Sequence, residues 1–536
     1  MPIIVSNINS RPQRIGENSY DGSAEAVSKA VKYLISRGVM RDDIVDAGVH
    51  KISLDARKRN DIHFVSSVYF RLSSDALERK IASSAAQVKY VDSPSLPVVM
   101  SDEKKSGRVV IAGFGPAGMF CALVLSEHGY KPIVLERGAD VDTRIAAVKS
   151  FWSGGELDEN TNVQFGEGGA GTFSDGKLTT RISDPLCAYV MQRFCDFGAP
   201  AEILHAAKPH IGTDKLREVV KAIRMRVIEC GGEVRFLSPL RSLKISSGKV
   251  VSINTPDSQI ETGALVLAIG HSARDTFEML LKNGVVLQPK PFSVGARIEH
   301  TQQSVNQSLY GEYADKLVLP VGEYQLSHRR PDGRAVYTFC MCPGGYVVAS
   351  SSEKNTIVTN GMSEYKRDAE NANAALVVSV SEKDFGSDPL DGVRFARSIE
   401  SKAYSASGSC LAPASTVGSF LGCESEKSVL PSYKPGVCMQ NIDNILPQFV
   451  TDMMKEGIRV FSRKMNCFSD MGAVLTAPET RTSSPVRILR GDEQNAVGID
   501  NLYPCGEGVG YAGGIMSAAV DGIKTALKIM SRRAPE

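Results

Sequence analysis

Residues 109–118 read VVIAGFGPAG, an apolar run entering Gly113-x-Gly115-x-x-Gly118 and passing into a helical stretch over 119–128. A second apolar strand, 132–135, ends at Glu136, followed by Arg137. In this GxGxxG pattern Gly113 permits a tight turn, Gly115 lets backbone approach a pyrophosphate, and Gly118 lets helix and strand pack closely. Pro116 and Ala117 open the helix, whose free N–H groups and partial positive charge suit phosphates. Glu136 can accept hydrogen bonds from ribose hydroxyls, and an acid there disfavours a ribose 2′-phosphate, so NADP is not expected at this turn. The reading is a nucleotide-binding site for a dinucleotide, FAD or NAD.

Three later segments bear on that choice. Residues 231–236 (GGEVRF) follow a helix and open a strand, residues 264–270 (ALVLAIG) form an apolar strand closed by glycine, and residues 502–514 (LYPCGEGVGYAGG) run into a second glycine-rich turn before a helix over 515–530. In these segments the chain resembles FAD-dependent oxidoreductases of the glutathione-reductase type. The resemblance implies that Val234 contacts the adenine through its backbone and that Gly270 closes a marker strand. It also implies that Gly506 and Glu507 reach the ribityl chain, and that Gly513, Gly514 and Ile515 face the flavin. Glu507 stands where that group usually has Asp. An NAD-only domain has no need of this C-terminal return, so FAD is the expected cofactor.

A closer resemblance, to an uncharacterised bacterial family of FAD-dependent dehydrogenases, rests on QFGEGGAGTFSDGKLTTR (164–181), PFSVGARIEH (291–300), FCMCPGG (339–345), ETRTSSPVRI (479–488) and the turn at 506–514. It implies a flavoprotein with an oxidoreductase label and no established substrate. In glutathione-reductase-type proteins the loop comparable to 166–176 runs beside the flavin ring. That comparison assigns Gly168, Gly169, Gly171 and Thr172 to cofactor contact and leaves Lys177 as a charge that stabilises the reduced flavin or as a solvated lysine.

Other candidates follow from residue chemistry. Cys340 and Cys342 are close enough to cycle as a redox pair. On a regular strand they also share a face, as two small buried side chains do. Arg297 and Glu299 alternate on one strand face, and the plain reading is an ion pair with each other or with a group elsewhere. The alternative makes Arg297 an anchor for an anionic substrate and His300 a proton donor. Arg481, in the polar stretch leading back towards the C-terminal turn, is a second anchor candidate. No ligand cluster for a metal is evident, so none is expected.

The elements that must position these residues divide the chain. Residues 1–92 show the order βαββαβ, with strands at 3–5, 45–54, 62–72 and 88–91 and helices at 24–36 and 74–84, which fits a ferredoxin-like α+β unit. The turn Arg57-Lys58-Arg59 could touch a polyanion, or simply be solvated. Residues 93–107 carry Pro94 and Pro97 and read as a linker. An α/β FAD-binding domain of Rossmann-like, glutathione-reductase type is expected over 108–291 and again over 483–536, with an inserted α+β substrate domain at 292–482. The 48 glycines in 536 residues exceed the usual share, whereas 42% hydrophobic and 23% charged residues are ordinary globular values. A net charge of +2 gives no global attraction for nucleic acid or anionic membrane.

No run is long enough to span a bilayer, no secretory signal is read at the N-terminus, and the odd, scattered cysteines favour a reducing, cytoplasmic setting. The expectation is an FAD-dependent oxidoreductase passing a hydride between FAD and an unidentified organic substrate. With a single dinucleotide fingerprint, any NAD(P)H would visit only transiently. The rival expectation is a flavin-containing RNA- or protein-binding modification factor with the N-terminal unit as its docking module.

Overall fold

A computed structural model describes residues 3–14, 22–58, 61–91, 95–423 and 428–535. Arg59 of the basic turn and Pro94 of the linker lie outside the described residues. The fold is α/β, with its strands gathered mainly into three sheets.

The first sheet contains Ile3–Ser10, Ile44–Asp55, His63–Leu72 and Val88–Tyr90, in the order second, third, first, fourth along the chain. Helices Gly22–Ser36 and Asp75–Ser84 pack on it through Ala26, Ala30, Leu34 and Ile81. Ser74 caps the second helix by accepting from the Leu77 N–H at 3.3 Å. Backbone bonds from Ile52 N to His205 O (2.8 Å) and from Ala207 N to Ile52 O (3.0 Å) tie the edge of this sheet to the rest of the chain.

The second sheet has a parallel centre: Glu233–Arg235, Ile133–Leu135, Arg108–Ala112, Gln259–Leu267 and Leu502–Pro504. Two antiparallel strands, Lys249–Asn254 and Ser242–Ser246, extend it. Residues 109–112, 133–135 and 264–267 of these strands are apolar because helices cover them, whereas the edge strand Glu233–Arg235 is half-buried. Pro116–Glu127 is buried from Ala117 to Ser126 and lies against the C-terminal helix Ile515–Met530. Gly522 permits that approach, since a Cβ there would sit 2.1 Å from the Ala117 carbonyl oxygen. Residues 95–107 follow the C-terminal helix, with Ser101 N bonded to Met530 O at 2.9 Å and Ala534 N to Glu103 O at 2.8 Å.

The third sheet is built around Phe292–Thr301, paired antiparallel with Asn371–Val380 on one side and Val474–Glu479 on the other. Ala335–Cys342 lies beyond the first neighbour and Ala412–Thr416 beyond the second. The helix Gln448–Ser462 covers one face through Val450, Met453, Met454 and Phe461. Phe292–Thr301 is buried at every position but its last, so both faces of this central strand are covered. Its polar residues Arg297, Glu299 and His300 are therefore dry, and each needs an internal account.

Candidate functional site

A cavity opens at the carboxyl ends of the parallel strands. One part of its wall is Leu135, Glu136, Arg137, Pro239 and Leu240; the middle is Gly113, Gly115 and Pro116. The far part combines Gly171 and the turn Gly513-Gly514-Ile515 with Phe339, Cys340, Asn360 and Glu479 from the third sheet and its neighbouring hairpin.

Backbone dominates the middle. Gly113 has φ +101°, and a Cβ there would meet the Ala268 carbonyl oxygen at 2.2 Å. A Cβ on Gly118 would sit 1.9 Å from the Gly113 carbonyl oxygen, so this glycine closes the helix onto the turn and is absent from the cavity wall. Gly115 is the N-cap of the helix and supplies no side-chain cap, with Pro116 in its first turn. Gly514, the N-cap of the C-terminal helix, also supplies none. A Cβ on Gly513 or Gly514 would meet nothing within 4 Å. Two uncapped helix N-termini thus line one cavity, an arrangement suited to anionic and polar ligand groups.

Glu136 has a fuller task than ribose binding. Its Oε1 accepts from Gly138 N and Gly166 N, both at 2.9 Å, and its Oε2 accepts from Phe114 N at 2.8 Å. The carboxylate therefore fastens three turns together, and Oε2 keeps acceptor capacity for a hydroxyl. Arg137 pairs with Asp275 at 2.7 Å and lies over the Phe165 ring at 4.6 Å. Gly169 and Gly171 are on the wall, and Gly168 N bonds to Phe114 O at 2.9 Å.

Side chains dominate the far part. Arg297 is fully buried and donates from Nε to Glu479 at 2.9 Å, from Nη1 to the Cys340 carbonyl at 2.8 Å and from Nη2 to Asn360 at 2.7 Å. Burial outweighs the Arg297 charge at Glu479 and, with the nearby Cys340, pushes that carboxyl up to about 7. Glu507 is likewise pushed up to about 7 by burial and by Cys340, against Lys290 and the Gly514 N–H. Cys340 has φ +42° and sits at a bulge between the Phe339 and Cys342 pairings. The Cys342 thiol donates to the Cys340 carbonyl at 3.4 Å; the neighbouring Cys342, with Arg297 and Lys177, draws the Cys340 thiol well below the usual range against burial. The neighbouring Cys340 and burial push the Cys342 thiol up.

Several sequence expectations are corrected here. Of the partners left open for Arg297, the ion pair is made elsewhere, with Glu479 at 2.9 Å, while Glu299 accepts from Ser432 Oγ at 2.5 Å and from Asn371 Nδ2 at 3.0 Å. With its donors taken up, Arg297 is no substrate anchor. Arg481 is on the cavity wall, yet its guanidinium bonds Glu400 at 3.1 Å, Ser272 at 3.0 Å and Ser352 at 2.5 Å, so it braces the wall instead of binding an anion. His300 is no proton donor. Its ring is buried against Phe468 (4.9 Å between centroids) and Tyr324 (6.0 Å), and burial lowers it to about 4, leaving it neutral. Lys177 is not on the wall; its side chain is partly exposed and pairs with Glu323 at 3.2 Å.

Thr172 is buried and donates to the Glu167 carbonyl at 3.2 Å, away from the wall. Val234 is paired within the parallel sheet, where Pro239 and Leu240 supply the wall instead. Gly270 lines the cavity, whereas Gly506 backs onto Ala117 and donates its N–H to Asp521 at 2.7 Å. Cys340 is on the wall and Cys342 is behind it.

Residues 291–482 match the family described as FAD-dependent protein, C-terminal domain-like. A Clostridium beijerinckii protein described only as uncharacterized is 43% identical over 542 residues, covering 99% of both chains. The chain belongs to this FAD-dependent family. FAD is its cofactor.

Among solved structures, NikD, an amino acid oxidase of nikkomycin biosynthesis, is 12% identical, with 80% of this chain and 93% of that one covered and a TM-score of 0.35. Glycine oxidase from Bacillus cereus is 10% identical, with 80% and 99% covered and a TM-score of 0.31. A thioredoxin reductase from Gloeobacter violaceus is 19% identical, with a TM-score of 0.18; the alignment covers 31% of this chain and 34% of that one.

The residues present fit FAD. The glycine turn and the uncapped Pro116 helix suit a pyrophosphate, Glu136 Oε2 a ribose hydroxyl, and the open space at Gly513 and Gly514 a flat ring. Sequence reasoning missed Asn360, Phe339, Pro239 and Leu240 as wall residues, and no local pattern marks them. Glu400 was also missed: a buried carboxylate that Arg274, Arg481 and Thr480 all address. Among the described residues no group of three or more His, Cys, Asp or Glu is placed to hold a metal, and no helix is long and apolar enough to cross a membrane.

Proposed function

We propose that the protein is an FAD-dependent oxidoreductase in which a hydride passes between the flavin and an organic substrate admitted beside the third sheet. The observation that carries this reading is that the cavity does not end at the nucleotide-binding elements. It continues to a wall of Phe339, Cys340, Asn360 and Glu479, contributed by the region that matches the FAD-dependent family. FAD supplies two-electron chemistry when bound. The chain supplies position and proton handling. Glu479 and Glu507, both held near neutrality, can each take or give a proton at working pH.

The arginine side chains on the wall are already paired. Arg137 pairs with Asp275 and Arg481 with Glu400, so the arrangement favours an uncharged substrate over a carboxylate. Anaerobic mixing of the flavin-loaded protein with NADH, NADPH and panels of neutral and anionic reductants tests this. Bleaching of the flavin by a neutral compound or a nicotinamide is expected. Bleaching by none of them, or by carboxylates alone, contradicts the reading.

A further inference from the structure

Eleven cysteines are free, and two neighbouring pairs of them touch this cavity in different ways. Cys505 is on the wall but fully buried, donated to by Thr525 Oγ1 at 3.4 Å, and burial drives its thiol far above the usual range. Its neighbour Cys121 is equally buried and shifted in the same direction. That pair stays protonated and inert.

In the second pair Cys342 is equally buried, but Cys340 differs. The bulge sets Cys340 at φ +42°, a conformation that non-glycine residues adopt only when their surroundings impose it. The carbonyl of this residue is held by Arg297 Nη1 at 2.8 Å. The outcome is a half-buried thiol on the cavity wall, with a fully buried second thiol behind it that donates to the Cys340 carbonyl at 3.4 Å. Positive charge from Arg297 and Lys177 favours a thiolate at Cys340, while Glu479 and Glu507 stand by as proton carriers. A buried structural pair needs neither the strained backbone nor the opening to the cavity.

We propose that Cys340 and Cys342 form a redox-active dithiol that exchanges two electrons with FAD, with Cys340 as the thiol that meets a disulfide substrate and Cys342 as the resolving thiol. This rests on the oxidoreductase reading above. In the exchange with the cofactor, the Cys340 thiolate and Cys342 thiol form an S–S bond, releasing two electrons and the Cys342 proton. Oxidised FAD takes up both electrons and one proton. The reverse reaction breaks the S–S bond and restores thiolate and thiol. With substrate RSSR, the Cys340 thiolate displaces RS⁻ to give a mixed disulfide. Cys342, on losing its proton, then displaces the second RS⁻ and closes the intramolecular bond.

The test uses the flavin-loaded full chain. After treatment with the thiol oxidant diamide and denaturing alkylation, mass spectrometry of the peptide carrying both cysteines is expected to show the loss of two hydrogens and no alkyl label there, with Cys121 and Cys505 still labelled. Anaerobic reductive titration of the oxidised protein is expected to consume about two electrons more per FAD than Cys342→Ser does. Cys342→Ser, which leaves Cys340 alone, is expected to show a long-wavelength thiolate-to-flavin absorption that disappears below the Cys340 pKa and is missing from Cys340→Ser. Full alkylation of Cys340 and Cys342 after diamide in the wild-type chain overturns the proposal whether or not either variant folds. A chain that binds no FAD yet forms the disulfide refutes the oxidoreductase reading and the FAD exchange, but leaves the dithiol itself established. A chain that binds FAD and forms no disulfide refutes only the dithiol.

Discussion

The cavity has two halves that are built by different physics. The wall from the parallel sheet is backbone: glycines whose missing Cβ atoms let turns close, and helix N-termini left uncapped. The wall from the third sheet and its neighbours is side chain: Glu479 and the half-buried Asn360, held from behind by buried Arg297, and Arg481, held by buried Glu400. A backbone wall recognises a phosphorylated ligand through N–H groups and tolerates no added carbon at its packing points. A side-chain wall is held by charges that are safe only as complete sets, because one partner left alone in a dry interior is costly. The two halves should therefore fail differently.

The largest effect is expected at Glu400, which is fully buried and satisfies Arg274 (2.7 Å), Arg481 (3.1 Å) and Thr480 (2.7 Å). Glu400→Gln leaves two buried guanidinium groups short of charge and should cost about 3–5 kcal/mol in denaturant unfolding. These arginines lower Glu400 to about 2 against burial, so its contribution is present above the unfolded carboxyl pKa. It should be lost as pH falls from about 4 towards 2. Gly118→Ala should come next. The added carbon would collide with the Gly113 carbonyl, and FAD affinity should fall about 100-fold, near 3 kcal/mol, measured by flavin fluorescence titration.

Glu507 tests the junction of the halves with the opposite pH sign. Its folded pKa is raised to about 7, so in FAD-free protein the native state holds a proton that the unfolded chain has released. Its contribution to stability should be full below about pH 4 and lost as pH rises through 7, a difference of about 3 kcal/mol. Glu507→Gln should flatten that slope in unfolding measured across the same pH range. The smallest effect on stability is expected at Gly513, where a Cβ meets nothing within 4 Å. Gly513→Ala should alter FAD-free stability by about 0.5 kcal/mol or less while weakening FAD binding, which separates a ligand-facing glycine from a packing one.

The same contrast explains what was legible. The turn at 113–118 shows in the sequence because its constraints are short-range: Gly118 must clear Gly113, and Pro116 begins the helix. Strand periodicity placed 45–54 almost where Ile44–Asp55 lies. The side-chain wall was illegible because its pairs are distant in sequence. Alternation put Arg297 beside Glu299, but Ser432 and Asn371 claim Glu299, and the antiparallel neighbour delivers Glu479 instead. Nothing local marks Asn360, which arrives on a separate hairpin. The bulge at Cys340 is equally silent, since regular alternation put both thiols on one face. Val234 shows the converse: a role carried over from a resemblance, at a position whose side chain and pairing serve the sheet.

The central claim is that both halves close around one FAD, and equilibrium titration of FAD-free protein with FAD tests it most directly. Saturable binding of one FAD per chain is predicted, weakened both by Gly118→Ala on the backbone wall and by Asn360→Leu on the side-chain wall. A colourless protein that takes up no added FAD, or FAD binding that Gly118→Ala leaves unchanged, would contradict it.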